Sequence, residues 1–263
     1  MAKIWQSKST KLHPMVEWYT VGNDYILDQR LLPYDVEASL AHARALLKLK
    51  VMTPTEFKKL SGGLKEILKL HQKGKFPIKV SDEDCHTAIE NYLIKKLGPM
   101  GKKIHTGRSR NDQVLVATRL YTRKKLKQIS HELIRLQQVF FKMAEKYEKL
   151  PMPGYTHTRR AMPSSVGHWA AAYLEELIDD HCLLQSAYDL NDQNPLGAAA
   201  GFGVTLKLDR KLTTRLLKFK RTQINSLYAV NSRGKTESFI LSVCTHIMMT
   251  LGRLANEMIW FTT

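Results

Sequence analysis

From Leu126 onward, apolar residues return at alternating intervals of three and four: Leu126, Ile129, Leu133, Leu136, Phe140, Met143 and Tyr147. A row of this kind lies along one face of an α-helix, and its persistence over three heptads predicts a long helix with a coiled-coil-like seam. The helix is expected to begin near Asn111 and to be closed by Pro151 and Pro153. A second long helix is expected from Pro163-Ser164-Ser165 to about Leu190. A third carries Ile240, Val243, Ile247, Thr250 and Leu254, again at intervals of three and four. Three such stripes are satisfied when the helices pack side by side, so a bundle is the expected architecture. The stripes themselves indicate core packing and carry no chemistry.

Before this region the helical signals are shorter. Thr53-Pro54-Thr55-Glu56 combines an N-cap residue, a proline at the first helical position and a glutamate at the third, the pattern of a capping box. Ser81-Asp82-Glu83-Asp84 places carboxylates at the positive end of another helix, which Gly98-Pro99 and Gly101 then interrupt. The expected fold is all-α, with a mostly helical N-terminal domain over 1–105 and a long-helix bundle over 106–263. Asn194-Pro195-Leu196-Gly197-Ala198-Ala199-Ala200-Gly201-Phe202-Gly203 lacks the spacing and the preceding strand of a dinucleotide fingerprint. It reads as a tight connection between helices where backbones approach closely. No internal repeat or low-complexity tract interrupts the chain.

Composition narrows the function classes. The 263 residues are 43% hydrophobic and 25% charged, close to the globular average, which excludes general disorder. No consecutive run of about 18 apolar residues occurs, so no membrane span is expected. The start, MAKIWQSKSTKLHP, lacks the apolar stretch of a signal peptide, so export is not expected. Cys85, Cys182 and Cys244 are scattered without a C-x-x-C pair, which fits reduced thiols in a cytoplasmic protein better than disulfides or a zinc site. The formal charge of +17 raises the question of nucleic acid. The basic clusters, Arg119 to Lys127 and Lys207 to Arg221, show neither interleaved aromatics nor a recognition-helix pattern. They read as solvated helix faces, and no nucleic-acid partner is expected. Some of the arginines have a second use in holding a small anionic substrate.

Four polar segments fall at breaks between helices. His105-Thr106-Gly107-Arg108-Ser109-Arg110-Asn111-Asp112 precedes the longest helix, where free amides and the helix dipole would add to the side chains in holding an anion. A polar cap with surface arginines explains it equally well. Pro153-Gly154-Tyr155-Thr156-His157-Thr158-Arg159-Arg160-Ala161-Met162-Pro163 links two long helices and offers His157 for proton transfer, or as a structural loop histidine. Asp82-Glu83-Asp84-Cys85-His86-Thr87 is explained by helix capping alone. Asn231-Ser232-Arg233-Gly234-Lys235 opens the last long helix and again puts positive charge at a helix start. None of these segments pairs two histidines four apart beside a carboxylate, so no metal site is expected.

Taken in order, these segments resemble argininosuccinate lyase of the fumarase/aspartase superfamily, from about Lys3 to the last residue. His105 through Val114 resembles the first signature of that family. Pro153-Gly154-Tyr155-Thr156-His157 with Ala161 and Pro163 resembles its second. Ile4-Trp5, Asp82-Glu83-Asp84 with His86-Thr87, and Pro195-Leu196-Gly197 resemble further family segments. The resemblance implies reversible elimination of fumarate from argininosuccinate to leave arginine, late in arginine biosynthesis, without cofactor or metal. It assigns substrate carboxylates to Ser109, Arg110, Asn111, Thr156 and Arg233, with His86 as a further contact, and proton transfer to His157. It also implies a homotetramer in which each active site is shared between subunits.

The chain departs from the family pattern at several positions. Arg159 and Met162 stand where many members have Gln, Ser232-Arg233-Gly234 stands for Ser-x-Arg-Asp, and the N-terminal substrate-contacting serine of many members is replaced around Gly22-Asn23. The third signature, a Gly-Ser-Ser-x-Met-Pro-x-Lys-x-Asn-Pro loop with the serine base, does not occur among the 263 residues. The resemblance therefore implies a C-terminally incomplete bundle, inactive alone. The alternatives are a lyase for another succinyl substrate, of the adenylosuccinate lyase kind, and a non-catalytic helical scaffold.

Overall fold

The computed structural model describes residues 13–262, so the Ile4-Trp5 pair lies outside the described residues. The helices are α1 (Pro14–Val21), α2 (Asp24–Leu27), α3 (Leu32–Lys48), α4 (Pro54–Gln72), α5 (Cys85–Leu97) and α6 (Arg110–Lys146). A hairpin of β1 (Pro151–Thr156) and β2 (Arg159–Ser165) follows, then α7 (Val166–Asn191), α8 (Arg210–Leu216), α9 (Ser226–Asn231) and α10 (Lys235–Thr262). The all-α expectation holds, and the three long helices lie where the apolar rows placed them.

The chain packs as two compact units. One comprises residues through Tyr121 together with Asn194–Asn231; the other comprises Thr122–Gln193 and Ser232–Thr263. This division differs from the boundary expected near residue 105. The segment after α7 returns to the first unit, and α6 contributes to both.

In the first unit, Leu32, Val36, Leu46, Leu60, Leu64, Ile67, Ile89 and Leu93 from α3, α4 and α5 form one buried cluster. A second cluster joins Ala38 and Ala41 to Val116, Leu120, Leu196, Leu217 and Phe219. The expected capping box opens α4: Glu56 N donates to Thr53 Oγ1 at 3.2 Å, and Thr53 N donates to Glu56 Oε2 at 2.8 Å. Two orphan amides are thereby satisfied, worth about 1 kcal/mol at the N-cap. Asp84 caps α5 by accepting from Thr87 N at 2.8 Å.

In the second unit the predicted stripes meet. Leu126, Leu133 and Phe140 of α6, Ala170, Tyr173, Leu177 and Leu184 of α7, and Ile240, Val243 and Ile247 of α10 form one buried core. Ile129, Leu136 and Met143 pack beside it half-buried, so one row of the α6 seam is enclosed and the other lies at its margin. At the start of α7 the helices approach closely. A Cβ on Gly167 would stand 2.5 Å from Glu148 Cα and 2.7 Å from Ala144 O, both backbone atoms.

One expectation needs refinement. Although no unbroken apolar run exists, α10 has an 18-residue window of mean hydropathy 1.4, sufficient by length and composition to cross a bilayer. Its Ile240, Val243, Ile247 and Thr250 row is buried in the three-helix core. Arg253 pairs with Glu176, and Glu257 accepts a hydrogen bond from Trp169 Nε1. These partners tie α10 to α7 within the three-helix core.

Candidate functional site

The first signature segment shapes the start of α6. Ser109 Oγ accepts from Asn111 N at 3.3 Å and from Asn111 Nδ2 at 3.2 Å. Asp112 reaches back to accept from Ser109 N at 3.0 Å, the reciprocal arrangement of a capped helix. Arg110 turns toward the start of α5. It donates to Asp84 Oδ2 and Thr87 Oγ1, both at 2.8 Å, and lies 3.5 Å from Glu83 Oε2. With 31% of its side chain exposed, the guanidinium ties two helix starts together while keeping an open edge. Ser109, Arg110 and Asn111 are therefore gathered at one helix N-terminus, as expected, with acidic residues of α5 beside them.

Beneath this surface lies a buried polar network. Asp35 accepts from His86 Nδ1 at 2.8 Å, from Gln113 Nε2 at 3.1 Å on each oxygen, and from Ser39 Oγ at 3.3 Å. Arg108 Nη1 donates to Ser39 Oγ at 2.9 Å. Burial penalises the Asp35 carboxylate, but His86 and Arg108 hold its pKa below the ordinary value. Burial likewise opposes the His86 cation, and Asp35 nevertheless raises its pKa. The directions agree on an ion pair, with side-chain exposures of 3% for His86 and 0% for Asp35. Enclosed in this way, His86 supports the segment from beneath. The resemblance implied a substrate contact for His86; its ring is enclosed and its Nδ1 is engaged by Asp35.

His42, also buried, donates from Nε2 to Thr106 O at 2.9 Å. Burial, and then the charge of Arg108, lower its pKa to about 3, so the ring is neutral. Asp35, Ser39 and His42 recur at intervals of four and three on α3 and are all buried. A polar stripe at core spacing is the sequence signal that marks them. Arg108, Asp112 and Gln113 stood inside the quoted signature without assigned roles.

Asp28, Cys85 and His86 place three potential ligand atoms within 4.8 Å of one another. Their hydrogen bonds already commit them: Asp28 Oδ2 accepts from Cys85 N at 2.9 Å, and His86 Nδ1 serves Asp35. Burial pushes the Cys85 thiol well above its ordinary pKa, away from the thiolate a metal takes. The donor set fits a hydrogen-bonded core better than a metal centre.

The second unit carries the remaining candidates. The segment expected as a plain connection is a hairpin in which Pro151 pairs with Ser165, Pro153 with Pro163, and Thr156 with Arg159. Register shifts between Pro153 and Tyr155, where β2 holds one residue more than β1. At the tip, His157 and Thr158 both adopt left-handed backbone, with φ of 53° and 62°. A two-residue turn of this hand normally takes Asn-Gly, so the tip stores strain. Thr156 and His157 are adjacent there and exposed. Tyr155 and Thr158 line a cleft of about 970 Å³ with His168, Trp169, Glu257 and Trp260. Arg233 is exposed in the turn between α9 and α10, where Gly234 N donates to Glu237 Oε2 at 2.7 Å. The candidates thus fall into two groups, one in each unit.

A family model described as Lyase matches residues 11–263. The argininosuccinate lyase of Thermotoga neapolitana is 46% identical over 260 residues, covering 99% of this chain and 65% of its own length. That of Phocaeicola vulgatus is 41% identical over 261 residues, with 99% of this chain and 58% of its own length covered. Among solved structures, an EDDS lyase variant with bound fumarate superposes with a TM-score of 0.83 at 25% identity, covering 97% of this chain and 50% of that one. A fumarate lyase from Mesorhizobium sp. BNC1, at 19% identity and a TM-score of 0.75, shares the fold. The chain spans about three fifths of the length of the curated relatives it matches. From its apolar stripes to its two signature segments, and with the family match over residues 11–263, the chain belongs to the lyase family.

Proposed function

We propose that the chain forms the substrate-binding and proton-transfer portion of an argininosuccinate lyase. The observation that carries this reading is the 46% identity to the Thermotoga neapolitana enzyme over 99% of the chain. The reaction breaks the bond between a guanidinium nitrogen and the succinyl carbon. A base removes the proton from the carbon next to a carboxylate, and charge develops on that carboxylate as an aci-carboxylate. Collapse forms the fumarate double bond, and arginine leaves with the electron pair and a proton. The step needs donors fixed around the developing oxyanion and an acid–base pair across the bond.

Ser109, Asn111 and the open edge of Arg110 supply donors at the start of α6, where amide dipoles reinforce them. Thr156 and Arg233 are assigned to substrate carboxylates, and His157 to proton transfer. The serine of the third family signature does not occur in this sequence, so the 263 residues are expected to bind substrate without robust turnover. A cytoplasmic homotetramer with shared sites is part of the same reading. Exposed Leu241, Met248 and Met249 on α10 support it, since an apolar face of this kind suits helix packing between copies.

Calorimetry with argininosuccinate and adenylosuccinate tests the substrate, and ultraviolet detection of fumarate tests turnover. Argininosuccinate should bind in preference. Preference for adenylosuccinate, or binding of neither, refutes the reading; robust turnover by the 263 residues alone refutes the requirement for the third-signature serine.

A further inference from the structure

Asp112 is fully buried, and its two oxygens look in different directions. Oδ1 accepts from Ser109 N at 3.0 Å. Oδ2 accepts from Gly197 N at 2.9 Å and from Ala199 N at 3.0 Å, residues more than eighty positions away in the chain. We propose that Asp112 is a positioning residue: its carboxylate clamps the Ser109–Asn111 segment to the Gly197–Ala199 turn and so fixes where the substrate donors stand. The functional half of this inference rests on the reading proposed above.

Ordinary helix capping explains only the bond to Ser109. The other two engage a connection with no regular structure, whose backbone is shaped to meet one oxygen. Gly197 has φ of +89°, and Ala199, which has a Cβ, still takes φ of +51°. The amides of Gly197 and Ala199, two residues apart, converge on one carboxylate oxygen, while the Ala198 amide between them donates to Pro195 O at 3.1 Å. The turn is braced on its other side by Arg210, whose Nε donates to Leu196 O at 3.0 Å and whose Nη2 lies 3.5 Å from Pro195 O. A Cβ on Gly197 would stand 2.9 Å from Arg210 Cγ, so a larger residue there must displace the Arg210 brace. Burying a carboxylate is costly unless its hydrogen bonds are made, and these three amides are what make it tolerable. An apolar residue could fill the volume and cap nothing. The acid joins two distant segments at the point where Ser109, Arg110 and Asn111 begin.

Residue-resolved amide exchange on the 263-residue chain tests the clamp directly. In the wild type, the amides of Ser109, Gly197 and Ala199 should exchange slowly. Asp112→Asn puts an NH₂ against at least one amide N–H and should speed exchange roughly tenfold or more at the amides it loses, from the strength of a hydrogen bond to a charged group. Amides of Leu60 to Leu70 in α4 should keep their protection. Fumarate and argininosuccinate affinity, measured by calorimetry on the folded variant, should fall by a similar factor. Gly197→Ala, which strains the turn from the Arg210 side, should reproduce both effects and serves if Asp112→Asn does not fold. Fast exchange at Gly197 and Ala199 in the wild type overturns the clamp. Lost protection with unchanged affinity overturns the positioning role. A wild type that binds neither ligand refutes the proposed function, while the exchange result still decides whether the clamp exists.

Discussion

Replacing His42 by Gln should remove most of one proton from the acid unfolding of the protein. The Nε2–H of His42 donates to Thr106 O inside the first unit, and burial and Arg108 lower the pKa to about 3 from the ordinary 6.5. An unfolded chain at pH 4.5 holds this proton, whereas the folded chain excludes it. Stability contributed by the neutral ring is therefore present above the unfolded pKa and declines as pH falls from about 6.5 toward 3. The whole shift corresponds to about 4–5 kcal/mol, of which about 2.7 kcal/mol is lost by roughly pH 4.5. Gln offers an amide N–H to Thr106 O and has no proton to gain. Urea unfolding followed by far-ultraviolet circular dichroism at a series of pH values gives the slope for each protein. The wild type should be the more stable at pH 7, and the two curves should converge on acidification. Parallel curves between pH 7 and 4 would refute the claim that a buried neutral histidine holds Thr106, and with it the account of how α3 supports the signature segment.

Three further outcomes follow from the geometry. If His157 carries the proton transfer proposed above, His157→Asn should lower fumarate release by about 10²- to 10⁴-fold in a form of the enzyme that turns over, with light scattering unchanged. Gly167→Ala should destabilise by about 1–3 kcal/mol in thermal melts. The gain of about 1 kcal/mol in helix propensity is outweighed when a Cβ is forced to 2.5 Å from Glu148 Cα; stabilisation would show that α6 and α7 can part there. Asp35→Asn should cost about 3–5 kcal/mol near pH 6, because buried His86 loses the carboxylate that holds its proton, and a milder loss at high pH, where the wild-type ring is neutral too, would confirm the pairing.

The long helices were legible because packing and periodicity say the same thing. Leu126, Leu133 and Phe140 repeat every seven residues and are all buried in one core. The capping box at Thr53 was equally legible, since its chemistry is local. The hairpin was not. Both faces of β1 and β2 are largely exposed, so no alternation of apolar and polar residues marks them, and three prolines argue against strands. Its His-Thr tip also lacks the residues that usually announce such a turn. The two-unit division was hidden for another reason: the return of Asn194–Asn231 to the first unit depends on contacts such as those of Asp112, more than eighty residues distant. Of the candidate site, the residue types are readable in the sequence; the supporting stripe of Asp35, Ser39 and His42 is marked only by its spacing on the core face of α3.

The left-handed pair at the hairpin tip bears on how variants of this protein would fare under selection. A library sorted for thermal resistance should converge on Asn-Gly at positions 157 and 158, relieving about 1 kcal/mol or more at a residue held against its preference. That convergence would erase the imidazole while leaving expression, solubility and melting point improved. On the proton-transfer role proposed for His157, breeding for turnover pulls its codon the other way, and only a screen that couples survival to chemistry would keep the histidine.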